Sequence, residues 1–169
     1  MKLYGRRFAR VLTAVGLLVG ALVVQSSPAA AANPVAHIHN AQTGLCIDAN
    51  HAGAVYMSSC DGGNQHQRWE RVQLGKSSDG YHVNLFRNVA TRDCLQLETT
   101  RQDVWATPCF ASNGQPFNDG KWRAEGTSYN RFEATWAHGF STCLDSNSTG
   151  DIYIKQCNEG NYQKWHASF

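Results

Sequence analysis

The chain has 169 residues, with 15 Lys and Arg against 13 Asp and Glu and 42% hydrophobic residues. All four charges in the first 32 residues (Lys2, Arg6, Arg7, Arg10) are basic, so residues 33–169 carry 11 basic and 13 acidic side chains, net −2 with His neutral. Such a near-neutral remainder, with no Lys/Arg cluster, lacks the positive surface that a phosphate backbone requires, which excludes nucleic acid as a partner.

Residues 1–32 open with the basic stretch MKLYGRRFAR, continue through the apolar VLTAVGLLVGALVV and leave through QSSPAAAA. That order predicts a secretory signal peptide, cut after Ala32 or, nearly as well, after Ala31. Its apolar run is shorter than the roughly 20 residues a membrane span needs, and no later run approaches that length. The protein is therefore expected to be secreted and extracellular, without a membrane span. The Arg6-Arg7 pair leaves the export route open between the general secretory and twin-arginine systems.

Residues 33–169 suffice for a single domain that buries roughly two-thirds of its extended surface. Short alternating apolar segments bounded by Gly, Asn and Asp recur along them, and no stretch of helical periodicity is sustained. The fold class is all-β.

Six cysteines stand at 46, 60, 94, 109, 143 and 157, at pair separations of 14, 15 and 14. Of the fifteen possible pairings, this regularity favours Cys46–Cys60, Cys94–Cys109 and Cys143–Cys157. Export permits disulfides, and a closed loop of that size is worth about 3 kcal/mol on the chain-entropy model. No C-x-x-C or clustered His/Cys spacing is present, so neither metal nor cofactor is expected.

The pairs mark an internal threefold repeat. GLCIDANHAGAVYMSSCDGGNQHQRW is followed by RDCLQLETTRQDVWATPCFASNGQPFNDGKW and then by CLDSNSTGDIYIKQCNEGNYQKW. The boundaries are about 37–80, 81–129 and 130–169. Each unit has an apolar residue after its first cysteine (Ile47, Leu95, Leu144) and a closing tryptophan (Trp69, Trp122, Trp165). Ahead of the second cysteine stand Val55-Tyr56-Met57, Val104-Trp105-Ala106 and Ile152-Tyr153-Ile154. Period-two geometry turns the outer residues of each triplet to the core and its aromatic to the other face. Units this small cannot each bury an apolar face alone, so they must share a core around a pseudo-threefold axis. Trp136 is expected to pack in the opening strand of the third unit.

The Cys-Leu-Asp element, the strand before the second cysteine and the closing Q-x-W (Gln67-Arg68-Trp69 and Gln163-Lys164-Trp165) resemble the ricin B-type lectin family over residues 37 to 169. The third unit is especially similar to lectin repeats of small secreted bacterial proteins and of the receptor-binding part of some ADP-ribosylating toxins. The resemblance implies a β-trefoil with three pseudo-threefold repeats, each closed by a disulfide. It also implies glycan binding, of galactose-type or xylan-like sugars, through up to one shallow site per repeat. The family's sugar-contacting acid falls on Asp48 and Asp145, whereas the middle unit has Gln96 there and Gly120-Lys121-Trp122 in place of Q-x-W. The middle unit is accordingly expected to keep its tryptophan and to have lost its site.

Sugars offer adjacent hydroxyls and a C–H face. A carboxylate accepts from two hydroxyls, an amide donates and accepts, and a flat ring covers the C–H patch. Asp48, Tyr56 and Asn64 supply the three functions in the first unit, and Asp145, Tyr153 and Asn161 in the third. His66, Gln67, Lys155, Tyr162 and Gln163 are accessory candidates. Other roles stay open: Asp48 and Asp145 as turn acids, Tyr56 and Tyr153 as linings of their own hairpins, Gln67 and Gln163 as ties to loop backbone. The family's stacking ring stands two residues before the second cysteine, where this chain has Ser58, Thr107 and Lys155. That departure points away from the usual galactose preference.

No G-x-S-x-G or H-E-x-x-H motif is present, and the two candidate acids belong to different repeats, so an enzyme is not expected. The rival reading is a secreted trefoil that binds protein, as a hydrolase inhibitor or a toxin or assembly subunit. With no linker or second domain after the leader, any enzyme or toxin it serves would be a separate polypeptide.

Overall fold

The computed structural model describes residues 32–98, 100–124, 130–135 and 141–169. The expected signal peptide and Trp136 lie outside the described residues. Among those described, no helix is long and apolar enough to cross a membrane.

The first repeat supplies β1 (Val35–Asn40), β2 (Cys46–Ala49), β3 (Val55–Ser58) and β4 (Arg68–Lys76). The second supplies β5 (His82–Asn88), β6 (Cys94–Glu98), β7 (Asp103–Thr107) and β8 (Trp122–Arg123). The third supplies β9 (Glu133–Ala134), β10 (Thr142–Ser146), β11 (Ile152–Gln156) and β12 (Trp165–Ala167). The outer strands pair antiparallel in the series β12, β1, β4, β5, β8, β9. A bridge between Asn130 and Trp165, with both N–H···O bonds at 2.8 Å, closes that series into a barrel. The inner strands form three hairpins, β2–β3, β6–β7 and β10–β11. This is a β-trefoil, and the three disulfides join Cys46–Cys60, Cys94–Cys109 and Cys143–Cys157 as the spacing predicts.

The alternation argument holds in all three hairpins. Met57, Val104, Ala106, Ile152 and Ile154 are buried in one core with Ile38, Ile47, Leu95 and Leu144. Tyr56 is exposed and Trp105 and Tyr153 half-buried, on the other face. Trp69, Trp122 and Trp165 are fully buried. Each indole donates to the carbonyl of the residue after its repeat's first cysteine: Ile47 at 3.0 Å, Leu95 at 2.9 Å and Leu144 at 3.0 Å. The tryptophan is thus core and crosslink together, which satisfies the only polar atom of a ring with no other place in an apolar interior.

A ring of three backbone hydrogen bonds joins the hairpins. The Gly53 carbonyl accepts from Ala106 N–H at 2.9 Å, Gln102 from Ile154 at 3.1 Å, and Gly150 from Met57 at 2.9 Å. Each hairpin turn therefore caps a strand of the next repeat, and all three acceptors have left-handed backbone, with φ of +84°, +57° and +93°. Glycine occupies two of these positions. At Gly53 a Cβ would meet the Ala106 carbonyl oxygen at 2.8 Å, so no side chain fits.

Two buried asparagines tie consecutive units at the barrel end. The Asn40 amide donates to Tyr162 O at 2.8 Å, while its oxygen accepts from Gln42 and Thr43. The Asn88 amide donates to His66 O at 2.6 Å, while its oxygen accepts from Ala90 and Thr91.

The ring yields a test of the fold. Gly53→Ala is expected to destabilise by at least ~2 kcal/mol, since left-handed strain adds to the clash. Gln102→Gly is expected to stay within about 1 kcal/mol of the parent, as relieved strain offsets the added chain entropy. Chemical denaturation of both variants checks the pair.

Candidate functional site

The hairpin register sets each candidate acid opposite its aromatic: Asp48 pairs Tyr56, Asp145 pairs Tyr153, and Gln96 pairs Trp105. Directly paired residues share one face of the sheet, so every repeat brings its ring beside the residue that follows Cys-hydrophobic.

In the first repeat Asp48 is only 4% exposed. Its Oδ2 accepts from Asn64 Nδ2 at 2.9 Å, Ser58 Oγ at 3.1 Å and Gln67 Nε2 at 3.2 Å. The Tyr56 phenol, on the same face, is a further hydrogen-bond partner of this carboxylate. One carboxylate oxygen is thus pinned by three side chains, and the acid is coupled to the ring beside it. Asn64 caps a 3-10 turn at Gln65–Gln67, accepting from His66 N–H at 2.9 Å through its oxygen. Burial, then the Asp48 charge and the hydrogen bond to Asp48, raise the Tyr56 phenol above its ordinary range. It stays neutral and able to donate. His66 turns away from this face, with Nδ1 at 2.6 Å from Ala49 O and its ring edge-on to His51.

Gln67 is fully buried, and its amide makes four contacts in one place. Its Nε2, with two protons for three acceptors, also lies 2.6 Å from Ser58 Oγ and 2.9 Å from Ser59 O, and its oxygen accepts from Asp61 N–H at 2.8 Å. Ser58, where the family's stacking ring was sought, is a hydroxyl relay between amide and acid.

The third repeat keeps part of this arrangement. Asp145 accepts from Gln163 Nε2 at 2.8 Å on Oδ2 and from Ser146 N–H at 2.7 Å on Oδ1. Gln163 also donates to Gln156 O at 3.0 Å and accepts from Asn158 N–H at 2.7 Å. Tyr153 donates its hydroxyl to Ser146 O at 3.2 Å, so this ring is tied to its own hairpin. Burial first, then the Asp145 charge, raise its phenol as well. Asn161 is not brought to the acid: it is exposed, and no bond joins its side chain to Asp145 among the described residues. The reason is a register. Counted from the second cysteine, Asn161 matches Asn64. Counted back from the tryptophan, Gly160 does, and Gly160 is the cap of the Asn161–Gln163 turn without a side-chain bond. The loop is one residue shorter, and the buried Gln and Trp decide which count holds. Tyr162 contributes its backbone carbonyl to Asn40, and Lys155 is exposed opposite Cys143.

The middle repeat solves the same packing problem with exchanged residues. Gln96, 8% exposed, donates Nε2 to Pro108 O at 2.7 Å. Ser59, Gln156 and Pro108 each precede a second cysteine, so Gln96 holds the carbonyl that Gln67 and Gln163 hold elsewhere. It does so from the acid's position. Gly120 occupies the glutamine's position, where a Cβ would lie 3.2 Å from Gln96 Cγ. The amide stands on the hairpin strand instead of the 3-10 turn, and the glycine leaves room for it.

Among the described residues no group of three or more His, Cys, Asp or Glu is placed to hold a metal ion. Gln163→Ala is expected to cost about 2–3 kcal/mol, since it strands Asp145, Gln156 O and Asn158 N–H. Asn161→Ala should stay within about 0.5 kcal/mol of the parent. Thermal melts of the two variants check this.

A family model described as the ricin-type β-trefoil lectin domain matches residues 34–165. No curated protein matches the chain. Among solved structures, the designed threefold-symmetric protein ThreeFoil is similar at 18% identity and a TM-score of 0.63, over 80% of this chain and 98% of that one. A GlcNAcα1-4Gal-releasing endo-β-galactosidase from Clostridium perfringens is similar at 18% identity and a TM-score of 0.61. That likeness covers 79% of this chain and 32% of the larger protein. At such identities the two structures speak for the fold, and the family model speaks for the domain type, which is non-catalytic. The chain belongs to the ricin-type β-trefoil lectin family.

Proposed function

We propose that this protein is an exported lectin that binds galactose-type or xylan-like glycans through shallow sites in its first and third repeats. The observation that carries this reading is the Asp48 carboxylate, held on Oδ2 by Asn64, Ser58 and Gln67 and hydrogen-bonded by the neutral Tyr56 phenol beside it. A pre-positioned acceptor next to a flat ring suits a sugar's vicinal hydroxyls and C–H face, and little ordering remains to oppose binding. The first repeat is the stronger site in this account, because the third lacks the Asn64 amide and ties Tyr153 to Ser146. Each contact is small and wet, so affinity comes from engaging two sites on one polymer or cell surface. The partner is a glycan or polysaccharide, and a separate secreted enzyme or toxin chain is the kind of protein such a module would serve.

Asp48→Asn preserves the size and most hydrogen bonds of the acid while removing its charge. It is expected to weaken retention on lactose- or xylan-bearing resin about ten- to hundredfold, a charged hydrogen bond being worth about 1.5–3 kcal/mol. Asp145→Asn should weaken it less, and the double variant should not be retained. No retention of the intact, folded protein by any sugar of a broad glycan array would sink the reading. Such a result would favour a protein partner, for which Phe110 and Phe117, exposed on the longer middle loop, are the obvious contacts.

Export is proposed from the leader alone. N-terminal sequencing of the secreted protein should begin at Asn33 or Ala32, and an intact Met1 on extracellular protein would contradict it.

A further inference from the structure

The exchange at Gln96 and Gly120 removes the carboxylate from the middle repeat, but it does not fill the space above it. A cleft of about 470 Å³ remains, lined by Gln96, Glu98, Thr100, Arg101, Trp105 and Thr107. Its floor and rim differ in chemistry from the other two repeats. The floor is a neutral amide whose nitrogen is committed to Pro108 O and whose oxygen receives no donor among the described residues.

The wall is Trp105, half-buried and held from outside its own repeat. Ala54 forms a bridge with Trp105, and the Gly53 turn approaches so closely that a Cβ there would stand 3.9 Å from Trp105 Cε3. An indole fixed by a neighbouring unit is a preorganised platform for the C–H face of a pyranose. The rim carries Arg101, with 75% of its side chain exposed. Its Nε lies 3.8 Å from Glu98 Oε2, and the Glu98 Oε1 accepts from both the N–H and the hydroxyl of Thr100. Glu98 is thereby occupied at both oxygens, while the two Nη groups of Arg101 have no partner among the described residues. That paired edge is the one that receives a carboxylate in bidentate fashion.

We propose that the middle repeat binds a carboxylate-bearing sugar, a uronate unit of an acidic polysaccharide, with its ring on Trp105 and its carboxylate on Arg101. A neutral amide at position 96 adds no second carboxylate to the cleft, whose Glu98 is already engaged by Thr100 and Arg101. Gln96 keeps the loop anchored without introducing that charge, and its amide oxygen accepts a ring hydroxyl. The inference rests on the glycan-binding reading of the fold but on none of the residues assigned to the first and third repeats.

The experiment is calorimetric titration of the full secreted protein with trigalacturonate, with galactotriose and xylotriose as neutral controls. The Asp48→Asn/Asp145→Asn variant is expected to bind trigalacturonate as the parent does. Arg101→Gln should weaken that binding about tenfold, the scale of one charge-assisted contact, and Arg101→Lys should restore part of it. Both substitutions sit on an exposed side chain, so folding is not at stake. Trp105→Phe should weaken binding less than Trp105→Ala. Added salt should reduce the uronate affinity and leave neutral sugars unaffected. Unchanged binding by Arg101→Gln, loss of uronate binding in the Asp48/Asp145 double variant, or no uronate binding by the parent would each overturn the proposal. Parent protein that binds neutral trisaccharides but not the uronate refutes this inference alone. Parent protein that binds the uronate but neither neutral sugar refutes the assignment to the first and third repeats alone.

Discussion

From one buried position, the amide of Gln67 reaches the Asp48 carboxylate, the Ser58 hydroxyl, the Ser59 carbonyl and the Asp61 N–H. Gln163 reaches Asp145, the Gln156 carbonyl and the Asn158 N–H in the same way. These two side chains sit where hairpin, post-cysteine loop and closing tryptophan meet, two residues before an indole that is itself bonded to the first hairpin strand. In an interior of low polarizability, an amide that satisfies all its neighbours is strongly held, and so are they. The orientation of the candidate acid follows from the requirement to bury that amide. Site and scaffold are therefore one hydrogen-bonded network.

The same constraint explains how the repeats diverge. Each repeat here holds the carbonyl before its second cysteine, the first and third from the 3-10 turn ahead of the closing tryptophan. In the middle repeat Gln96 does so from β6, and glycine at 120 follows from the crowding against Gln96 Cγ. Exchanging the pair alters the face shown to ligand without disturbing the Leu95–Trp122 bond beneath it. The cross-repeat ring from Gly53, Gln102 and Gly150 keeps the three hairpins in register throughout. A threefold scaffold held by equivalent backbone bonds can thus carry three different surfaces.

Much of this was legible in the residues, where the information is periodic. Cysteine spacing gave the disulfides, the V-Y-M, V-W-A and I-Y-I triplets gave the hairpin faces, and the recurring tryptophans gave the core. What stayed hidden depends on where a flexible amide reaches. Gln96 reads as a lost acid, and only its bond to Pro108 shows it standing in for Gln67. Asn161 matches Asn64 when counted from the cysteine, and the one-residue deletion before Trp165 moves Gly160 into that place instead. Ser58 reads as a missing ring, whereas it hydrogen-bonds the acid. No motif marks Asn40 and Asn88, although both are fully buried and join successive repeats.

The central claim is that the acid pinned by the buried glutamine is where sugar binds, and most fully so in the first repeat. Side-chain amide NMR reports on it directly, because Asn64 touches Asp48 and its resonance can be followed during a lactose or xylotriose titration. The account predicts that the Asn64 amide and the Asp48–Tyr56 hairpin shift most, that Asp145 and Tyr153 shift less, and that the Trp122 indole does not move. Saturable shifts centred on the Phe110–Phe117 loop, with Asn64 unmoved, would contradict it.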